Sequence, residues 1–321
     1  MKAIVYRRYG SADVLECEEI EKPSPGDDEV LIKVRAASVN PFDWHFMRGT
    51  PYFLRIIAGL RKPKNPQLGV DVAGQVEAVG RNVTEFKPGD EVFGSCRGSF
   101  AEYARTSESA VATKPSNVTF EQAASVNVAA LTALQGLRDK GHIQPGQKVL
   151  INGAAGGVGT FAVQIAKAFG ANVTGVCSTT NVDLVRSIGA DGVIDYTRED
   201  FTEGTQRYDL IFDLVATHSS PAYRRVLTPN GICVLGGGPT TVRAILISAF
   251  QVLVLSRFVS QSFVMFVAKP NKKDLTTLGE LMASGKVTPV IDRRYALTEV
   301  PQAIRYLEEG HARGKVVITL E

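Results

Sequence analysis

Four cysteines in 321 residues, Cys17, Cys96, Cys177 and Cys233, stand far apart with no C-x-x-C pair among them. That spacing excludes both a disulfide framework and a cysteine-rich zinc lobe. The histidines are as scarce and as scattered: His45, His142, His218 and His311 form no H-E-x-x-H or related cluster, so no metal is expected. Charge of one sign is lacking too. With 36 Lys and Arg against 33 Asp and Glu, the net charge is only +3, and no basic stripe suits nucleic acid. Long apolar runs are also missing. The most membrane-like stretch, Ala244 to Leu255, lies between Arg243 and Arg257 and falls well short of the roughly 20 apolar residues of a spanning helix. No integral membrane association is expected, and the stretch reads as a subunit interface, a pocket wall or a peripheral membrane contact. The opening Met1-Lys-Ala-Ile-Val-Tyr-Arg-Arg reads as a strand rather than a signal peptide, which predicts a cytoplasmic protein.

What is present points first to a dinucleotide. In Lys148-Val-Leu-Ile-Asn-Gly153-Ala-Ala-Gly156-Gly157-Val-Gly159 a short apolar strand runs into a glycine-rich turn and then a helix. Glycines let the backbone turn tightly and approach a pyrophosphate, whose charge is favoured by the free N–H groups and dipole at the helix start. Gly153, Ala155, Gly156, Gly157 and Val158 are the candidate phosphate-binding residues. The context supports them: Val158, Phe161, Ala162, Ile165, Ala166 and Phe169 recur at helical spacing, Gly170 can end the helix, and Asn172 to Cys177 reads as the next strand.

Around this motif the chain divides by pattern. Residues 1 to about 120 show short alternating runs such as Glu29 to Ala36 and Val70 to Val79, punctuated by Pro25-Gly26 and Pro88-Gly89-Asp90, and predict a barrel-like β domain. From Thr119 helices at Phe120 and Ala129 lead into alternating strands and helices to about residue 237, which means a parallel, doubly wound sheet. Strands are predicted at Gly192–Tyr196, Tyr208–Val215 and Gly231–Gly237. A helix near Lys273 to Ser284 and a final strand Lys315–Thr319 are expected to return to the first domain. The fold class expected is therefore α/β.

The order of these parts resembles the medium-chain dehydrogenase/reductase superfamily, and within it the zinc-independent quinone oxidoreductases and enone reductases related to zeta-crystallin. The resemblance covers essentially the whole chain. It rests on Met1-Lys-Ala-Ile, Ala37-Ser-Val-Asn40-Pro-Phe-Asp43, Gly69-Val-Asp71-Val-Ala-Gly74, Pro88-Gly-Asp-Glu-Val92 and Phe100-Ala-Glu-Tyr103. It continues through Ala130-Leu-Thr132-Ala, Ala154-Ala-Gly-Gly-Val-Gly159, Gly189-Ala-Asp-Gly-Val-Ile-Asp-Tyr196 and Gly310-His-Ala-Arg-Gly-Lys-Val316.

The resemblance implies a GroES-like β-barrel substrate domain from residues 1–120 and 266–321, a Rossmann NADP-binding domain from 121–265, and a cleft between them. Where zinc enzymes of the superfamily place their first Cys ligand and a Gly-His-Glu segment, this chain has Asn40-Pro-Phe-Asp and Gly69-Val-Asp71. Without a Lewis acid, a conjugated acceptor is favoured over a simple alcohol, because it spreads incoming charge over its own π system. The expected activity is NADPH-dependent hydride transfer to a quinone or α,β-unsaturated carbonyl. The alternatives are an NADP-dependent alcohol or aldehyde oxidoreductase and a nicotinamide-binding regulatory protein with little turnover.

The cofactor expected is NADPH. The window Cys177-Ser-Thr-Thr-Asn181, about 20 residues after the glycine turn, holds no acid to bind ribose hydroxyls or to repel a 2′-phosphate. By the resemblance, Ser178 and Tyr196 contact that phosphate and Thr132 lies beside the nicotinamide. Lys315 or Arg313 is placed to reach the phosphate, or else to be a solvated strand-edge charge. Gly236 and Gly237 end a strand and are expected to let the chain pass close to the cofactor ring. Asn40, His45 and Tyr52 lie in the stretch that forms the substrate side in the resembled enzymes, and each can donate a hydrogen bond to a carbonyl oxygen. Asp43 is expected to cap the helical turn that follows Asn40. The resembled enzymes pair through an edge of the Rossmann domain, so a homodimer is expected.

Overall fold

The computed structural model describes residues 1–236 and 260–320; Gly237 and the apolar run Ala244 to Leu255 lie outside the described residues. The chain forms two compact units, Met1–Leu131 with Lys269–Glu321, and Thr132–Ala268. These units divide at 131/132 and 268/269, where the domains expected from sequence divide at 120/121 and 265/266. The short helix Phe120–Ala124 packs on strands of the first unit, which draws residues 121–131 into it.

The first unit is built on strands β1 (Lys2–Val5), β2 (Glu16–Glu19), β3 (Glu29–Val39), β4 (Asp71–Val79), β5 (Glu91–Ser95), β6 (Tyr103–Ser107) and β7 (Val111–Thr113). The β1 and β2 strands pair as an antiparallel two-stranded sheet. The others, except those two, join strands from the C-terminal segment in a seven-stranded sheet. Eleven-residue β3 pairs antiparallel with β4 and β6, and register shifts between Leu31 and Ile32 and between Val34 and Ala36 mark bulges that bend it as a barrel-like sheet requires. Along β3, Val30, Leu31 and Ile32 are buried in succession, Lys33 and Arg35 alternate with the buried Ile32, Val34 and Ala36, and Ala37, Ser38 and Val39 are buried outright. The strand-rich unit expected from alternation is observed, as a mixed seven-stranded sheet beside the β1–β2 pair.

The strand Lys315–Thr319, predicted with those bounds, pairs antiparallel with β3 and sets Val316 opposite Val39. This register carries Lys315 to the end of β3, where Asn40 begins. It also places the C-terminal segment inside the first unit, as expected. In the helix Val300–Glu308, Val300, Ala303 and Ile304 fall on one face at i, i+3 and i+4 and join a core with Ile4, Met47, Phe100, Val316 and Ile318.

The second unit is a six-stranded sheet whose paired strands all run parallel. Its strands are β8 (Lys148–Asn152), β9 (Asn172–Cys177), β10 (Gly192–Asp195), β11 (Tyr208–Asp213), β12 (Leu227–Leu235) and β13 (Ser262–Met265), in the order β10-β9-β8-β11-β12-β13. This is doubly wound topology, with the reversal of strand order at β8, the point at which sheets of this kind bind ligands beyond the strands' C-terminal ends. Central β8 is buried from Val149 to Asn152, as a strand covered on both faces must be. The β13 strand, at four residues, is too short to show a period in sequence, and its identity comes from parallel pairing with β12.

Candidate functional site

In the second unit β8 ends at Asn152 and the chain turns at Gly153, whose φ of +83° favours glycine. The amides of Gly153 and Ala154 donate to the Val176 carbonyl, and that of Gly156 to the Gly153 carbonyl, which folds the turn back over β8. The helix Gly157–Ala168 then starts with Gly156 as N-cap and no side chain capping it, so its first amides face outward.

Two glycines here have different reasons. A Cβ at Gly159 would lie 2.0 Å from the Gly153 carbonyl oxygen, so that glycine is required by the turn itself. A Cβ at Gly156 would meet nothing nearer than that same oxygen at 3.5 Å. The protein leaves this space open, as a backbone that approaches a phosphate must. Gly157 and Val158 are half-buried at the helix start, and Ala155 is buried beneath the turn. These residues fit a dinucleotide.

Asp213, which the sequence reading did not single out, holds the neighbouring loop. It is fully buried at the end of β11. Its Oδ1 accepts from Asn152 Nδ2 at 2.9 Å and from the amides of Val215 at 2.9 Å and Ala216 at 3.0 Å. Its Oδ2 accepts from the Tyr223 hydroxyl. The carboxylate thus ties the residue before Gly153 to the loop beyond β11.

At the adjacent ends of β9 and β10, Asn181 Nδ2 donates to Ser178 Oγ at 3.1 Å, and Ser178 Oγ lies 3.3 Å from Thr180 Oγ1. Tyr196 follows β10 and is exposed. The window free of acid in sequence is not free of acid in space. Parallel pairing sets Asp195 opposite Cys177, and its Oδ2 accepts from the Thr179 hydroxyl at 2.5 Å. Hydrogen bonds from Thr179, and then from Thr197, hold this carboxyl below its ordinary pKa, and the exposed Arg198 lies with Nε 3.4 Å from Oδ2.

Thr132 sits half-buried in the helix Asn127–Gln135. Gly236 has a packing reason of its own, since a Cβ there would meet the Phe212 ring at 2.6 Å. That close approach is to an aromatic side chain, a reason for glycine in addition to the approach to a cofactor ring expected from sequence.

In the first unit, the ends of β3, β4 and the final strand assemble a buried polar core. Asp71 is fully buried; its Oδ1 accepts from Asn127 Nδ2 and the Val128 amide, each at 3.0 Å, and its Oδ2 from Ser38 Oγ at 2.6 Å and Asn40 Nδ2 at 2.9 Å. Lys315, only 3% exposed, donates from Nζ to Asn40 Oδ1 at 2.6 Å and stands 3.5 Å from Asp71 Oδ2. Burial lowers the pKa of Lys315, opposed by the charges of Asp71 and Asp43. This corrects the placement of Lys315 on the cofactor: an ammonium enclosed by Asn40 and Asp71 cannot reach a phosphate in solvent.

Asn40 is corrected as well. Its carbonyl faces Lys315, which fixes the amide's orientation, and both N–H bonds are spent, one on Asp71 and one on the Ser38 carbonyl at 3.2 Å. No donor remains for a substrate. His45 is half-buried, with Nδ1 2.8 Å from the Thr50 carbonyl, so Nδ1 carries the proton. Burial lowers its pKa, and in the neutral ring Nε2 is then an acceptor rather than the expected donor. Tyr52 is 73% exposed; its carbonyl accepts the Arg55 amide at 3.1 Å, and its hydroxyl has no hydrogen-bond partner among the described residues. Asp43, in the first turn of the helix Pro41–Arg48, accepts the Asn40 amide on Oδ2 at 2.8 Å, as a capping carboxylate would. It is 1% exposed, and burial, with the Asp71 charge, raises its carboxyl to about 7.

The chain matches the zinc-binding dehydrogenase family over residues 188–318 and the alcohol dehydrogenase GroES-like domain over residues 26–116. It is 38% identical to the 2-methylene-furan-3-one reductase of Solanum lycopersicum, covering 99% of this chain and 79% of that protein. It is 35% identical to the chloroplastic NADPH-dependent alkenal/one oxidoreductase of Arabidopsis thaliana, with the same shares. The solved quinone oxidoreductase of Coxiella burnetii superposes with a TM-score of 0.87 at 30% identity, over 100% of this chain and 99% of that one. The first of these descriptions names zinc, whose protein ligands are Cys, His, Asp and Glu side chains. Among the described residues no three His, Cys, Asp or Glu side chains come together to hold a metal, and the ammonium of Lys315 lies between Asn40 and Asp71.

Proposed function

The chain belongs to the zinc-independent quinone oxidoreductase and enone reductase group of the medium-chain dehydrogenase/reductase superfamily, and from that premise we propose that it reduces a quinone or an α,β-unsaturated carbonyl with NADPH. The observation that carries the cofactor half is the open space at Gly156 beside an uncapped helix start. The acceptor half draws on the plant relatives, whose names are those of a furanone reductase and an alkenal/one oxidoreductase.

The nicotinamide supplies the hydride when bound. The protein's part is to bind and orient. The amides of the glycine turn receive the pyrophosphate, and Asp213 keeps the neighbouring loop in place. Ser178, Thr180 and Tyr196 receive the 2′-phosphate. Arg198 provides the cation that the window from Cys177 to Asn181 lacks, while neutralising Asp195, which would otherwise repel that phosphate. Thr132 lines the nicotinamide side. At the acceptor, polarisation of the carbonyl falls to the Tyr52 hydroxyl, the one donor of the three candidates that is not spent, and the final proton comes from solvent. The divisions at 131/132 and 268/269 separate the substrate domain from the cofactor domain. A homodimer and a cytoplasmic location complete the reading; no helix among the described residues is long and apolar enough to cross a membrane.

Titration of nicotinamide fluorescence, followed by steady-state turnover on a panel of enones, quinones and alcohols, tests it. NADPH should bind at least tenfold tighter than NADH. Arg198→Ala should weaken NADPH by roughly ten- to a hundredfold, the scale of a charge-assisted hydrogen bond, and leave NADH unchanged. Equal affinities in the unaltered protein refute the choice of cofactor. Turnover confined to alcohols refutes the reaction.

A further inference from the structure

Six of the ten large apolar side chains left exposed among the described residues fall between Phe42 and Leu60. Within that stretch the short helix Leu54–Ala58 is built inside out. Ile56 and Ile57 are 70% and 71% exposed, and Leu60, just beyond, 72%. Half-buried with Leu54 and Ala58 is the charged Arg55, whose Nε donates to the Gly49 carbonyl at 3.0 Å and whose guanidinium stacks 4.4 Å over the Tyr9 ring. The Tyr9 hydroxyl in turn donates to the Gly59 carbonyl at 2.5 Å, which pins the far end of the helix. Polar clamps hold this segment, and Ile56, Ile57 and Leu60 are left to face outward. In water that arrangement wastes apolar burial, so it fits a surrounding that is itself apolar.

The charges around the patch identify that surrounding. From residue 44 to residue 70 the chain carries no Asp or Glu. Arg61, Lys62 and Lys64, all exposed, follow directly on Leu60, and no ion pair is recorded for any of them among the described residues. Exposed aliphatics rimmed by unpaired cations match the interface of an anionic bilayer, where apolar side chains enter the acyl boundary while Lys and Arg remain at the head groups.

We propose that the segment from Tyr52 to Lys64 docks this protein reversibly on membranes that carry anionic lipid. The contact is peripheral: three aliphatic side chains and three cations sit at the surface, and the reductase fold stays outside. An apolar acceptor dissolved in the bilayer would then be presented to the same face that carries Tyr52. The docking itself does not depend on the assigned reaction.

Flotation of the protein with phosphatidylcholine vesicles, with and without phosphatidylglycerol, tests this. The expected result is flotation with the anionic vesicles only, reversed by high salt. Ile56→Asp with Ile57→Asp should lower binding at least a hundredfold. Lys62→Glu with Lys64→Glu should lower it by more than the roughly fivefold expected for each neutralised cation. Both variants, and the milder Leu60→Ser, alter exposed side chains and should keep the melting temperature and the turnover of a water-soluble enone within twofold of the parent. Three outcomes overturn the proposal. Absence of flotation removes the membrane, and flotation indifferent to these substitutions removes this segment as the docking surface. A large rise in KM for soluble enone without lipid binding makes the patch a substrate wall. Conversion of a dimer to a monomer by Ile56→Asp with Ile57→Asp makes it an interface between copies.

Discussion

Asp43→Asn should remove much of the acid-to-neutral drift in this protein's stability. The Asp43 carboxyl is buried, with Oδ2 accepting the Asn40 amide and Oδ1 lacking any partner among the described residues. Burial is the largest cause of its rise to about 7. The Asp71 charge adds to the rise, and the Asn40 amide and Lys315 oppose it. In the unfolded chain the same carboxyl titrates at about 3.9. The folded value is the higher one, so the native state holds a proton that the unfolded state has released. The stabilisation is complete below about pH 4 and is lost as the pH rises through 7. Three units at about 1.4 kcal/mol each amount to roughly 4 kcal/mol. An Asn side chain keeps the acceptor for the Asn40 amide and cannot ionise. The gap between variant and parent should therefore widen in the variant's favour by about 4 kcal/mol from pH 4 to pH 8, or roughly 10 °C in melting temperature. Melting curves across that range, joined to an infrared search for a protonated-carboxyl band that the variant lacks, decide the matter. Parallel profiles would mean that Asp43 ionises normally, and that Lys315 serves both carboxylates.

Lys315→Met leaves the buried Asp71 without its cation and should cost about 3–5 kcal/mol in denaturant unfolding while cofactor affinity is unchanged. A loss of NADPH binding without a loss of stability would return Lys315 to the cofactor. Gly156→Val should abolish NADPH binding at an unaltered melting temperature, because the added side chain enters open space, whereas Gly159→Ala should fail to fold against the Gly153 carbonyl. Asn40→Ala removes the partner of Lys315 and one donor to Asp71, and should destabilise by about 1–3 kcal/mol with kcat per folded molecule near normal. A stable but inactive Asn40→Ala would show that its amide serves the substrate after all.

The elements that could be read from sequence are those whose cause is local. The strand before Gly153, the helix after it and the final strand Lys315–Thr319 announce themselves through period and glycine placement, and they stand where those signals put them. Signals of that kind fail when the determinant is a partner strand. The β13 strand is a strand because β12 offers it a parallel edge, and residues 121–131 join the first unit because the helix Phe120–Ala124 finds β3 and β4 there.

The same limit applies to chemistry, with greater consequence. A residue's type states which hydrogen bonds it can make, and sequence position suggests where it can make them, but neither says whether the bonds are already made. Asn40 and Lys315, 275 residues apart, look like two free functional groups in sequence. The antiparallel register that sets Val316 against Val39 turns them into one satisfied pair. Asp195 shows the converse. It lies outside the acid-free window in sequence, yet the parallel register of β10 on β9 sets it beside that window, where Thr179 and Arg198 meet its charge. In both cases strand register decides the electrostatics, because a shift of one residue would send the side chain to the opposite face of its sheet. The site's charge pattern is thus a property of strand pairing. That is why the glycine turn, whose chemistry resides in its own backbone, was readable in advance, while the polar core, whose chemistry resides in its partners, was not.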